Sequence, residues 1–344
     1  MSYLKNPKVS VGLNLVFLLI LSISGWSCQS ASETTALPVL SPSGPVQPPA
    51  DPLNKLTASE LKKHVVYLAN DELAGREAGT TGGKKAAEYV AKEFKNIGLK
   101  TLAPSNSYFQ EFTVQGLDLR NVLGYIEGSD PVLKKESVVI GAHYDHLGLG
   151  GSGSRGSASG QIHPGADDNA SGIAGLIELA RAFVALPEKP KRSIIFIAFD
   201  GEEKMMLGSR HYTQNPWWPL EKTIYMVNLD QIGRSINDKI IVLGSLSNLT
   251  SKETLTELNN RTVKLDLQFK NLGAMELASD NGPFYQQKIP YLFFNSGRYD
   301  DRHTPNDTID KINAAGMEKI CRLIFQYTLQ VANTAARPVY QEMP

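Results

Sequence analysis

Cysteine is nearly absent from this 344-residue chain, which has Cys28 and Cys321 and no others. Cys28 lies in what reads as a leader, so the folded part carries a lone thiol and no internal disulfide. Cys321 sits in an apolar helical pattern and reads as a core residue rather than a nucleophile. An excess of either charge is also lacking. The 35 basic residues balance the 35 acidic ones, which removes the electrostatic ground for a nucleic-acid partner or for adhesion to an anionic membrane surface. No internal repeat is visible. What remains is ordinary globular composition, 42% hydrophobic and 20% charged, with length for one large α/β domain or two small ones.

The first residues read as a targeting segment. Lys5 and Lys8 are followed by an apolar stretch from Val9 to Ile23, broken by Asn14. That stretch is short for a membrane span, which needs about 20 apolar residues. Small residues, Ser24 and Gly25, then precede Trp26, Ser27 and Cys28. The segment resembles a bacterial lipoprotein signal with Cys28 as lipid acceptor, although Gly25 and Trp26 depart from the usual pattern. This implies export across the inner membrane and lipid anchoring in the cell envelope, on the periplasmic or surface side. Residues 29–54 are rich in Ser, Thr, Ala and Pro, a composition that buries no core and serves as an extended tether. The expected organisation is therefore a signal over 1–28, a tether over 29–54, one folded domain over 55–333 and a tail over 334–344.

Within the domain, apolar runs alternate with helical patterns. Helices are expected from Ser59 to Leu68, Gly82 to Ile97, Ser171 to Leu186 and Ala314 to Ala332, the first after a Thr57/Ser59 cap signal. Brief β-branched runs without polar alternation read as buried strands: Ser137 to Ala142, Ser193 to Phe199, Thr223 to Leu229, Lys239 to Leu243 and Ile289 to Phe294. Alternating strands and helices predict a three-layer αβα sandwich around a mixed, largely parallel central sheet.

Chemistry-bearing residues sit where these runs end. The first run leads into His143-Tyr144-Asp145, the second into Asp200-Gly201-Glu202-Glu203, the third into Asp230, and the last into a loop that reaches His303. Gly165-Ala166-Asp167-Asp168-Asn169 opens the helix from Ser171. Sites in open α/β sheets form beyond the carboxyl ends of the strands, so these histidines and carboxylates share one edge. That donor set suits zinc. Taken singly, each element has a plainer explanation: a surface His-x-Asp, a solvated Glu pair, an Asp helix cap. His64, His146, His163 and His211 read as structural or supporting residues.

Five motifs in order, Gly141-Ala142-His143-Tyr144-Asp145, Gly165 to Gly172, Phe199 to Glu203, Asn228-Leu229-Asp230 and His303-Thr304-Pro305, resemble those of the co-catalytic dizinc aminopeptidases. That family includes the secreted bacterial leucine aminopeptidases and has glutaminyl cyclases as relatives. Leu73-Ala74-Gly75-Arg76 and the helix after it resemble the family's N-terminal segment, and the likeness runs from about Leu56 to Asn333. It implies a zinc-exopeptidase fold and two zinc ions. His143 and Asp230 would hold one, Glu203 and His303 the other, and Asp168 would bridge them. Asp145 would orient His143, and Glu202 would be the general base in removing N-terminal residues from peptides with a free amino terminus. Asn281 replaces a histidine of the pattern and Arg302 a tyrosine, both at the substrate pocket. Competing readings are a single-zinc cyclase of N-terminal glutamine, a carboxypeptidase using Arg234, Arg298 or Arg302, and an inactive binding module on the same fold.

Overall fold

The buried runs assemble into one mixed sheet. In the computed structural model the described residues are 50–343, apart from 103–105, 152 and 156–158. The expected leader, its Cys28 and most of the tether lie outside them. Among the described residues the strands are β1 (Phe109–Val114), β2 (Leu117–Ile126), β3 (Ser137–His143), β4 (Ser193–Phe199), β5 (Thr223–Leu229), β6 (Lys239–Leu243), β7 (Asp266–Phe269) and β8 (Tyr291–Asn295). Their order is β1-β2-β4-β3-β5-β8-β6-β7. The inner four, β4-β3-β5-β8, run parallel. β2 and β6 flank them antiparallel, and β1 and β7 form the edges.

The helices are α1 (Ala50–Lys55), α2 (Ala58–Leu68), α3 (Thr81–Ile97), α4 (Gly172–Val184), α5 (Leu207–Gln214), α6 (Ser251–Arg261), α7 (Asn281–Gln286) and α8 (Ala314–Asn333). Alternating strand residues point to opposite faces, and this divides the core. Val138, Ile140, Ile194, Phe196, Val227 and Leu229 pack with residues of α2, α3, α4, α6 and α8. Val139, Ile195, Ile197, Phe199 and Met226 pack on the other face with Tyr212 of α5 and Phe284 of α7. β3, β4 and β5 are buried along their whole length, which is why they read as continuous apolar runs.

Local chemistry fixes the ends. The Thr57 hydroxyl accepts the Glu60 N–H at 3.3 Å and caps α2. Thr80 caps α3 through Gly83 in the same way. β8 begins at Tyr291, later than expected, because Pro290 has no N–H to give. Its carbonyl still accepts the Met226 N–H at 3.0 Å. The domain also reaches further at both ends than its composition suggests. Chain expected as tether is helical from Ala50, and Leu53 joins Leu56 in the core. After Asn333, Asn248 donates to the Val339 carbonyl at 2.9 Å and the Gln341 N–H donates to Ser247 at 2.8 Å.

Candidate metal centre

From the adjacent strands β3 and β5, the chain continues to β4 on one side and toward β6 on the other, so the connections diverge and open a crevice at the carboxyl ends of these two strands. His143 is the last residue of β3, and Asp230 directly follows β5. Glu202 and Glu203 lie in the turn after β4, and His303 in the loop after β8. Asp168 comes from an irregular turn, Ala166–Ser171, that leads into α4.

All five expected ligands converge. His143 Nε2 is 3.4 Å from Asp168 Oδ1 and 3.4 Å from Asp230 Oδ1. His303 Nε2 is 3.1 Å from Asp168 Oδ2 and 3.4 Å from Glu203 Oε2. Asp168 touches both groups. Glu202 stands beside them, its Oε2 4.0 Å from His143 Nε2. The ring tautomers follow from their acceptors. His143 Nδ1 faces the Asp145 carbonyl at 3.2 Å, and His303 Nδ1 faces the Gly153 carbonyl at 3.0 Å. A carbonyl only accepts, so each ring donates from Nδ1 and directs its Nε2 at the carboxylates.

The surroundings hold this arrangement. The Asp145 carboxylate lies 3.6 Å from His143 Nδ1, too far for a hydrogen bond. It accepts the backbone N–H groups of Glu202 and Glu203 at 3.0 and 3.2 Å instead. Asp145 thus positions the acidic turn, while its backbone carbonyl orients the histidine. Asp307 accepts the Asp168 N–H at 3.0 Å. The Gln231 amide donates to Asp168 and Asp230 at 3.2 and 3.3 Å, and Ser279 donates to Asp230 at 2.9 Å. Asn281 is fully buried and bonds Asn228 and the Glu276 carbonyl, so it reaches the centre only through Asn228 and Ser279. Arg302 turns inward, with Nε 3.3 Å from Asp168 Oδ2.

Two further residues belong here: His146, which reads in the sequence as structural or supporting, and Arg76, which stands there only as part of the N-terminal motif. His146 Nδ1 is 2.8 Å from Glu203 Oε1, and its buried Nε2 has no partner among the described residues. The only sequence signal is its place three residues after His143. Arg76 is wholly buried and donates to the carbonyls of Leu68, Tyr144, Pro164 and Gly165. It ties α2 to the end of β3 and to the turn that carries Asp168. Burial lowers its pKa to about 10, against the pull of Asp145 and Asp168.

The electrostatics are those of a crowded anionic pocket. Burial opposes ionisation of Asp168, yet His143 and His303 hold its carboxyl well below the usual range. Glu202 is pushed well above its ordinary value, by burial first and then by Glu203, Asp230 and Asp280. Burial alone would lower the His143 pKa, but Glu202, Asp145, Asp168 and Asp230 raise it well above normal. Buried carboxylates gathered this closely need compensating cations. The donors fit zinc: His143, Asp168 and Asp230 form one set, and His146, Asp168 and Glu203 another, each with its ligand atoms within 4.8 Å of one another. His303 Nε2, buried and without a hydrogen-bond partner among the described residues, faces the second set.

The pattern of peptidase family M28 matches residues 121–328. The chain is 25% identical over 290 residues to the aminopeptidase YwaD of Bacillus subtilis, covering 82% of this chain and 59% of that protein's length. The fold is shared with BSAP, a zinc aminopeptidase from Bacillus subtilis, at a TM-score of 0.65 and 16% identity, over 83% of this chain and 98% of that one. A glutaminyl cyclase from Tannerella forsythia superposes at 0.64 with 20% identity, over 80% and 98%.

Proposed function

The chain belongs to peptidase family M28, and from that premise we propose that it is a dizinc aminopeptidase acting on peptides with a free amino terminus. One observation carries the proposal. Two sets of histidine and carboxylate donors share Asp168 at the switch point of the sheet, and Glu202 stands 4.0 Å from His143 of the first set without belonging to either. His143 and Asp230 would hold one zinc ion and Glu203 and His303 the other, with Asp168 between them. When bound, the metals would supply Lewis-acid polarisation of the scissile carbonyl and a more acidic water.

The remaining steps fall to the chain. Glu202 is buried enough for its pKa to rise but keeps 12% of its side chain open to solvent, as suits a group that takes a proton from water and returns it to the leaving amine. Asp145 fixes its backbone. Asp307 and Gln231 hold Asp168 in place, and Arg302 adds a cationic donor beside it. We further propose that Cys28 carries a lipid anchor and that residues beyond it tether the domain in the cell envelope.

A panel of aminoacyl p-nitroanilides, assayed with free and acetylated amines and with and without chelator, tests the activity. Hydrolysis of the free-amine substrates alone, lost on chelation, with two zinc ions per chain by metal analysis, is expected. Cyclisation of N-terminal glutamine with one zinc ion, or release of C-terminal residues, would replace the proposal.

A further inference from the structure

The chain has as many acidic as basic residues, yet one cleft gathers cations. It has a volume of about 510 Å³, and Arg234, Lys239, Lys270, Arg298 and Tyr299 line it, with Asp266 as the one carboxylate of its wall. Lys239, Lys270 and Arg298 are exposed and, among the described residues, none of the three makes an ion pair. Arg234 is fixed differently, 2.8 Å from Asp301 and stacked on Tyr299. Free cations on a concave wall concentrate positive potential more than the same charges on a convex surface.

The cleft adjoins the metal centre. Tyr299 donates to Asp307 at 3.3 Å, and Asp307 accepts the Asp168 N–H. Ser296, also of the cleft, donates its N–H at 2.7 Å to Gln231, whose side chain binds Asp168 and Asp230. Arg234 follows Asp230 by four residues, which span at most about 14 Å. An extended peptide advances about 3.4 Å per residue, so the cleft lies within the length of a short peptide held at the centre.

We propose that this cleft binds a carboxylate carried by the substrate, so that the enzyme favours acidic peptides or short peptides with a free C-terminus. The proposal rests on the peptidase reading. The carboxylate has two sources, an Asp or Glu side chain or the terminal α-carboxylate, and both present the same anion to Lys239, Lys270 and Arg298. The contacts are solvent-exposed, so each changes affinity by only about two- to fivefold, and salt weakens them.

The test compares matched pairs on the metal-loaded protein: Leu-Glu-amide with Leu-Gln-amide, Leu-Ala with Leu-Ala-amide, and Glu-p-nitroanilide with Gln-p-nitroanilide. The acid of at least one pair should have the higher kcat/KM, and the pair identifies its source. The triple variant Lys239→Gln, Lys270→Gln, Arg298→Gln should remove that advantage, about tenfold in all, and leave the neutral substrates unchanged. Calorimetric binding of the same pairs reads the cleft without turnover. A chain that hydrolyses nothing but still binds the acid more tightly would sink the peptidase reading and keep the cleft. Equal binding and equal hydrolysis within every pair, or an equal loss for acid and neutral substrates in the triple variant, would overturn the proposal.

Discussion

Glu202 and Glu203 are neighbours with different surroundings. Glu203 touches His146 and His303, whereas the contacts of Glu202 are with His143 and solvent. Their substitutions should therefore separate. Glu202→Gln keeps the shape but cannot take the proton, so both zinc ions should remain while kcat falls by about 10²–10⁴-fold. Glu203→Gln should lower zinc content together with activity. Metal analysis alongside steady-state kinetics checks both. Full zinc with lost turnover in Glu203→Gln, and near-normal turnover in Glu202→Gln, would exchange the roles. His146 gives a reason for the separation, since its Nδ1–H holds Glu203 Oε1 at 2.8 Å. Only a fold that brings the ends of β3 and β4 side by side makes that contact, which is why the residue looked unremarkable in the sequence.

Among the elements, the segment from Asp71 to Arg76 contributes most to the centre without entering it. Its backbone turns through left-handed conformations at Ala74, Gly75 and Arg76, and this turn aims the Arg76 guanidinium at four carbonyls. A Cβ on Gly75 would lie 2.3 Å from the Gly148 carbonyl oxygen, with φ at +70°. Gly98, which ends α3 at φ +88°, has no atom within 4 Å of the same position. Gly98→Ala should cost only the conformational term, about 1 kcal/mol. Gly75→Ala must also displace backbone, so its cost should exceed about 2 kcal/mol. Denaturant unfolding of the two variants checks the difference, and equal losses would contradict the packing described here. Elements hidden from the sequence have physical causes as well. β1 and β2 form a hairpin through Gln115 and Gly116, both at positive φ, and their exposed outer residues interrupt the apolar runs that mark the inner strands.

Across the whole molecule, a neutral total hides a separation of charge, with carboxylates packed at the metal centre and cations along the neighbouring cleft. The same scale includes the proposed anchor. If Cys28 is lipid-modified, the full chain should fractionate with membranes, and Cys28→Ser should release it or leave an unprocessed precursor. Immunoblotting of membrane and soluble fractions checks this, and a wild-type chain found only in the soluble exported fraction would count against the anchor.

The sequence by itself determined the layered α/β class and the inner strands, and it marked the five residues proposed as donors. Strands buried on both faces must be apolar throughout, and ligands set at their ends break those runs with His, Asp and Glu. Tertiary structure alone decided the rest. The order β4-β3-β5 chose the strand ends that meet, and a carboxylate's partners depend on atoms brought from distant segments. Asp145 therefore holds the acidic turn by its carboxylate and His143 by its carbonyl, while Asp307 and Gln231 fix Asp168, and Ser279 fixes Asp230, from segments far away in the chain. Arg302, which the sequence placed only at the substrate pocket, lies against Asp168; burial opposes its charge, but the carboxylates of Asp168, Asp230 and Glu203 outweigh that cost and raise its pKa.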